Sequence, residues 1–134
     1  MYRTNMMPYP MIVPHPTAAY QNAYRFPQYQ VLQIAQNCEA TCEYTKNEIL
    51  KMEDIQSRQE QLKLLSDCAN ICTLTAKYIA SQSQFAKSLA SLCAQVCETC
   101  GNHCLKYSDK LSQACGQICF NCAQECRDFA GTRF

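Results

Sequence analysis

Twelve cysteines recur at intervals of three or four residues, and no other feature constrains the chain as tightly. They fall as Cys38/Cys42, Cys68/Cys72, Cys93/Cys97/Cys100/Cys104 and Cys115/Cys119/Cys122/Cys126. Such intervals place side chains on one face of an α-helix. The first stripe continues through Ile34, Thr45, Ile49 and Met52, and the second through Leu65, Thr75 and Ile79. Leu89 and Tyr107 extend the third, Leu111 and Phe129 the fourth. Cysteine thus stands where leucine and isoleucine line an ordinary bundle core. The last two groups repeat at an offset of 22 residues: Cys-Ala-Gln-Val-Cys-Glu-Thr-Cys from Cys93 matches Cys-Gly-Gln-Ile-Cys-Phe-Asn-Cys from Cys115.

The composition shifts near residue 28. Pro8, Pro10, Pro14, Pro16 and Pro27 all precede it, with four of the five methionines and Tyr2, Tyr9, Tyr20 and Tyr24. Residues 1–27 read as an extended Tyr/Pro/Met-rich arm without a donor ladder, and residues 28–134 as a four-helix bundle. Beyond residue 28 only Gly101, Gly116 and Gly131 interrupt good helix-forming sequence. Ser57-Arg58-Gln59-Glu60 has the form of a capping box. Ser81-Gln82-Ser83 and Ser108-Asp109 mark two further starts, and Gly131 a stop. The expectation is helices at roughly 28–53, 57–80, 83–107 and 109–130. Short connections make them antiparallel neighbours, so the fold class is all-α, an up-down-up-down bundle with a cysteine-lined core.

Counting outward from each turn aligns the cysteines. One layer is expected near Cys38, Cys72, Cys93 and Cys122, the next near Cys42, Cys68, Cys97 and Cys119. Cys100, Cys104 and Cys115 prolong the column at one end, Cys126 at the other. At ~1.5 Å per residue the third-helix set alone spans about 16 Å.

Several function classes drop out. The net charge is +1 with 17% charged residues, and no basic stripe marks a nucleic-acid surface. No run approaches the ~20 apolar residues of a membrane span. Glu39, Glu43, Glu98 and Glu125 project off the stripes, and no nucleophile–base–orienter set is present, so the chain is not expected to be an enzyme. The N-terminus lacks a basic and apolar leader. A cytoplasmic location with reduced thiols is therefore expected, a bacterial spore or shell being the alternative.

Charge then selects among the chemistries open to inward cysteines. As mere small hydrophobes they would underpack the core. Facing helical pairs could form disulfides in a structural coat or shell protein, or serve a zinc- or redox-responsive thiol protein. Among metals, thiolates favour Cu(I), zinc or iron–sulfur clusters. No Lys, Arg or His sits among the cysteines along the stripes. Zinc would leave uncompensated thiolate charge in a dry core, and iron–sulfur clusters prefer loop-rich spacing. One Cu⁺ replacing each proton leaves none. Cu(I) fits best.

Three segments carry a resemblance: Cys68-Ala-Asn-Ile-Cys72, Leu92-Cys-Ala-Gln-Val-Cys-Glu-Thr-Cys-Gly-Asn-His-Cys104 and Cys115-Gly-Gln-Ile-Cys-Phe-Asn-Cys-Ala-Gln-Glu-Cys-Arg127. Over residues 31–130 the chain resembles the cysteine-rich four-helix-bundle copper storage proteins, particularly the bacterial cytosolic type. The resemblance implies several Cu(I) ions held along each protomer's core by the twelve cysteines, commonly in a homotetramer, with a copper donor or acceptor protein as partner. Thr45, Ile49 and Thr75 occupy stripe positions where a denser thiol set would continue. The family's histidine-rich mouth is reduced to His103, which lies at the same end as Met52, and these two are the candidate mouth ligands. The arm falls outside the resemblance.

Overall fold

The computed structural model describes residues 28–132. It contains helices α1 (Tyr29–Ile49), α2 (Gln59–Ala80), α3 (Ala86–Cys104) and α4 (Lys110–Ala130), with a 3-10 turn at Ile55–Arg58 leading into α2. There is no strand among the described residues. Each helix lies along its sequence neighbours and α1 also flanks α4, which closes a square with α1–α3 and α2–α4 as diagonals. This is the expected all-α bundle, each helix reversing on the last through a short connection. The expected arm, residues 1–27, lies outside the described residues. None of the described helices is long and apolar enough to cross a membrane.

Two helix starts follow the expected chemistry. Asp109 caps α4 by accepting the Ser112 N–H at 2.9 Å. Ser83 Oγ accepts the Phe85 N–H at 3.0 Å just before α3, after Gln82 turns the chain at φ 56°. The capping box at Ser57 does not form. Ser57 Oγ instead donates to the Asp54 carbonyl at 2.8 Å inside the 3-10 turn, and Arg58 takes the position before Gln59. The reason is tertiary: Arg58 is pulled into the bundle end, as described below. α1 and α3 also stop three or four residues early, at Ile49 and Cys104, because i→i+3 bonds tighten both exits (Lys51 and Met52 onto Glu48 and Ile49, Lys106 and Tyr107 onto His103 and Cys104).

All twelve cysteines are fully buried. Among the described large apolar side chains, only Ile49, Leu65 and Ile79 share that degree of burial. The stripes bend at their ends: Ala35, Ala90 and Ser112 are buried, whereas Ile34, Leu89 and Leu111 are half-buried. In each case the inward position lies three residues before the first cysteine rather than four, so small side chains continue the column.

Helices α3 and α4 approach closely at Gly101 and Gly116. A Cβ at Gly101 would meet the Gly116 carbonyl oxygen at 3.1 Å, Phe120 Cε1 at 3.2 Å and Cys119 Cβ at 3.3 Å. Backbone and a core cysteine cannot yield as a side-chain tip can. Replacing Gly101 by valine is therefore expected to destabilise the reduced protein by about 1–3 kcal/mol through overpacking. Urea unfolding measures this, and an unchanged midpoint would contradict the close approach.

Candidate metal centre

Helical spacing on four converging faces brings the sulfurs within van der Waals reach of one another. Cys68 and Cys97 approach to 3.4 Å, Cys42 and Cys119 to 3.7 Å, and Cys38 and Cys68 to 3.8 Å. Cys72 stands 3.7 Å from both Cys93 and Cys97 and 3.9 Å from Cys122. The diagonal of the square is bridged by sulfur, Cys68 to Cys119 at 3.9 Å. Adding Cys42–Cys115, Cys93–Cys97 and Cys122–Cys126 joins ten of the cysteines through contacts of 4.0 Å or less, and Cys100 and Cys104 interact with the same network through Cys119 and Cys115. All twelve are free thiols. A sulfur such as Cys72, with three near neighbours, is not matched to any single disulfide partner.

Three groups of sulfurs converge within 4.8 Å: Cys38, Cys42, Cys68 and Cys119; Cys38, Cys72, Cys97 and Cys122; and Cys93, Cys122 and Cys126. The flat layers expected from counting are thus staggered. Cys38 belongs to both four-sulfur groups, Cys97 joins the level of Cys72, and Cys93 drops to that of Cys126. Side chains of adjacent helices interdigitate rather than sit level, so levels merge into a continuous staircase.

Electrostatics follows from burial without cations. Cys72, Cys119 and Cys126 are pushed above the ordinary thiol range. Hydrogen bonding with neighbouring sulfurs is the first cause (Cys122 for Cys72 and Cys126, Cys100 for Cys119), and burial adds to it. Neighbouring sulfurs pull the other way on Cys38 and Cys93, Cys119 foremost for the first and Cys122 for the second, so a proton gained by one thiol is shared with its neighbours. The protons belong to the set rather than to single residues.

The two ends of the column differ. Beyond Cys93 and Cys126 lie buried Ala35, Ile79, Ala86, Ala90 and Phe129. Beyond Cys104 lies a polar cluster. Gln61 Nε2 donates to Cys104 Sγ at 3.4 Å and to Ser112 Oγ at 2.9 Å. Arg58, only 6% exposed, donates through Nη1 to Gln61 Oε1 at 3.1 Å and Asp109 Oδ1 at 2.9 Å, and through Nε to Asp54 at 2.9 Å. Its guanidinium also lies 4.2 Å from the Tyr107 ring centroid. Burial works against the Arg58 charge, yet Asp54 and Asp109 raise its pKa above the usual value. The Asp109 carboxyl, although also partly desolvated, is held below its usual range by Ser112 and Arg58.

Arg58 and Gln61 were not singled out by the cysteine pattern. The signal was present, since 58, 61, 65, 68, 72, 75 and 79 continue one stripe at alternating intervals of three and four. The candidate mouth residues stand at this same end. Met52 is half-buried against the core. His103 is half-buried with its ring 5.7 Å from that of Tyr107, and its Nε2 is buried without a hydrogen-bond partner. His103 belongs to none of the three converging groups. The Thr45 hydroxyl is also buried, and it faces the Cys115 sulfur.

Comparison with known proteins agrees with this geometry. The chain is similar to the apo form of copper storage protein 3 from Bacillus subtilis, with a TM-score of 0.73 and 31% identity over 78% of this chain and 99% of that one. It is equally similar to a Cu(I)-bound copper storage protein, BsCsp3, with a TM-score of 0.75 and 31% identity over 78% and 98% of the two chains. A curated relative, the uncharacterized cysteine-rich protein YhjQ of Bacillus subtilis, is 41% identical over 46 residues, or 34% of this chain, and the match spans 43% of the relative's length. The family model described as copper storage protein matches residues 26–131. With that match covering the whole bundle, and with its cysteines gathered into one buried sulfur column, this chain belongs to the copper storage protein family.

Proposed function

We propose that the chain binds and stores several Cu(I) ions, with Cys38, Cys42, Cys68, Cys72, Cys93, Cys97, Cys100, Cys104, Cys115, Cys119, Cys122 and Cys126 as ligands. The observation that carries this reading is the buried sulfur network that shares Cys38 between two four-sulfur groups. Charge supports it. Each Cu⁺ that displaces a thiol proton leaves the core neutral, whereas zinc in a four-thiolate site carries two surplus negative charges. Arg58 offers no relief, because it is already paired with Asp54 and Asp109. Cu(I) also accepts low coordination by thiolate sulfur, which helical pairs four residues apart can supply.

Storage rather than catalysis suits a site whose reactive atoms are all enclosed. A cytoplasmic location, assembly into a homotetramer, and exchange with a copper donor or acceptor protein complete the proposal. His103 and Met52 are proposed as secondary ligands at the Cys104 end, where the His103 Nε2 has a free lone pair or proton to offer.

Anaerobic titration of the reduced protein with Cu(I), against a strong competing chelator, tests the reading. Binding near one copper per cysteine is expected, and saturation at three or fewer metals per chain would overturn it. Deleting residues 1–27 is expected to leave that capacity unchanged, because every proposed thiol ligand lies between residues 38 and 126. A large loss of bound copper in the truncated chain would place ligands in the arm.

A further inference from the structure

Both ends of the sulfur column are closed, but by opposite means. At the Cys126 end the closure is apolar, made by Ile79 and Phe129 with the alanines around them. Thr75 Oγ1, the buried hydroxyl on that side, is turned to the Leu89 carbonyl at 3.5 Å. A monovalent cation moving that way would leave its sulfur ligands for a hydrocarbon wall, which is costly. At the Cys104 end an unbroken series of polar contacts runs outward: Cys104 Sγ, the Gln61 amide, Ser112 and Arg58, and then Asp109 and Asp54. Asp54 is half-exposed, so the series reaches solvent.

Gln61 is the element that closes this route. It is fully buried, and its amide lies against the outermost thiol of α3. Nothing in its own helix holds the amide there. Arg58 Nη1 fixes its oxygen, and the Ser112 hydroxyl fixes its nitrogen. Arg58 in turn is anchored by two carboxylates on separate elements, Asp54 before the 3-10 turn and Asp109 at the start of α4, and by the Tyr107 ring. Bonds to charged groups are the stronger kind, and each is made here in a partly desolvated setting.

We propose that Gln61 and Arg58 are positioning residues for copper exchange: a latch that covers Cys104 and sets the rate at which Cu(I) enters and leaves the column. This rests on the storage reading above. Exchange requires the Gln61 N–H to withdraw from Cys104 Sγ. Copper then passes from a donor thiolate to Cys104 Sγ, one Cu–S bond breaking as the other forms. The Cys104 proton goes to the departing donor sulfur, and copper remains Cu(I) throughout. Release is the same exchange in reverse. The latch changes the barrier to exchange and leaves the number of sulfur ligands unaltered, so rate and capacity should separate.

The test uses the full chain loaded with Cu(I) under anaerobic conditions, with excess bathocuproine disulfonate added and its copper complex followed by absorbance. Arg58→Met is expected to speed copper withdrawal at least about tenfold, the factor that about 1.4 kcal/mol of barrier represents. Asp54→Asn, a change at a half-exposed carboxylate, loosens the same latch from outside and is expected to give a smaller acceleration. Total copper bound should match the unmodified chain in both. Ile79→Ala opens a cavity at the apolar end and is expected to leave the rate within about twofold, which separates a latch from general loosening. If Arg58→Met fails to fold, Asp54→Asn decides alone. Rates within about twofold of the unmodified chain for the latch variants, or equal acceleration by Ile79→Ala, would overturn the latch. Low copper capacity in the unmodified chain would contradict the storage reading instead.

Discussion

Sulfurs held within 4 Å of one another in a core without free cations must each keep a monovalent positive charge, either H⁺ or Cu⁺. Two neighbouring thiolates would repel strongly at low dielectric, and full burial keeps bulk solvent from screening them. Most of the molecule follows from this condition. The sulfurs share protons as a set, and Cys72 and Cys119 are held protonated by their neighbours and by burial. A divalent metal fits poorly because it gathers more thiolate charge than it neutralises. A monovalent one can replace protons along the column without changing its net charge. The network of single and shared contacts around Cys38, Cys68 and Cys72 is suited to ions that bridge sulfurs, more than to isolated four-ligand sites.

The same condition shapes the packing. Cysteine is small, so helices lined with it must come together on small neighbours. Ala69, Ala76, Ala94 and Ala123 are buried beside the stripes, and Gly101 faces Gly116 where α3 and α4 touch. Large apolar side chains are left to the ends of the column, Ile49 and Leu65 on one side and Ile79 with Phe129 on the other. The bundle therefore carries its conventional hydrophobic core as two partial caps around a sulfur centre. The price of polarity at one cap is a buried guanidinium, and it is met by two carboxylates and a ring rather than by solvent.

How far this was legible in the chain depends on the scale considered. Intervals of three and four, an absence of proline after residue 27 and polar residues at the turns were enough for four helices with cysteines inward. The family resemblance over residues 31–130 agrees with a family match over 26–131. Finer points were hidden for physical reasons. Three and four residues are equivalent as helical intervals, so apolarity favoured Ile34, Leu89 and Leu111 as inward positions where Ala35, Ala90 and Ser112 are buried. Counting from turns gave level layers, but it cannot register the stagger that places Cys38 between Cys68 and Cys72. Ser57 had the local pattern of a cap, and a tertiary contact of its neighbour Arg58 with Asp109, far along the chain, displaced it. Long-range polar contacts of that kind leave no local spacing behind them.

If the column holds copper in this way, the metal is ligated by sulfur alone and the ions are neighbours bridged by shared thiolates. Copper K-edge X-ray absorption on the fully loaded protein addresses this directly. The expected result is a Cu(I) edge, a first shell of sulfur at low coordination number, and a distinct copper–copper scattering component. A shell dominated by nitrogen or oxygen, or a sulfur shell without copper–copper scattering at full loading, would contradict it.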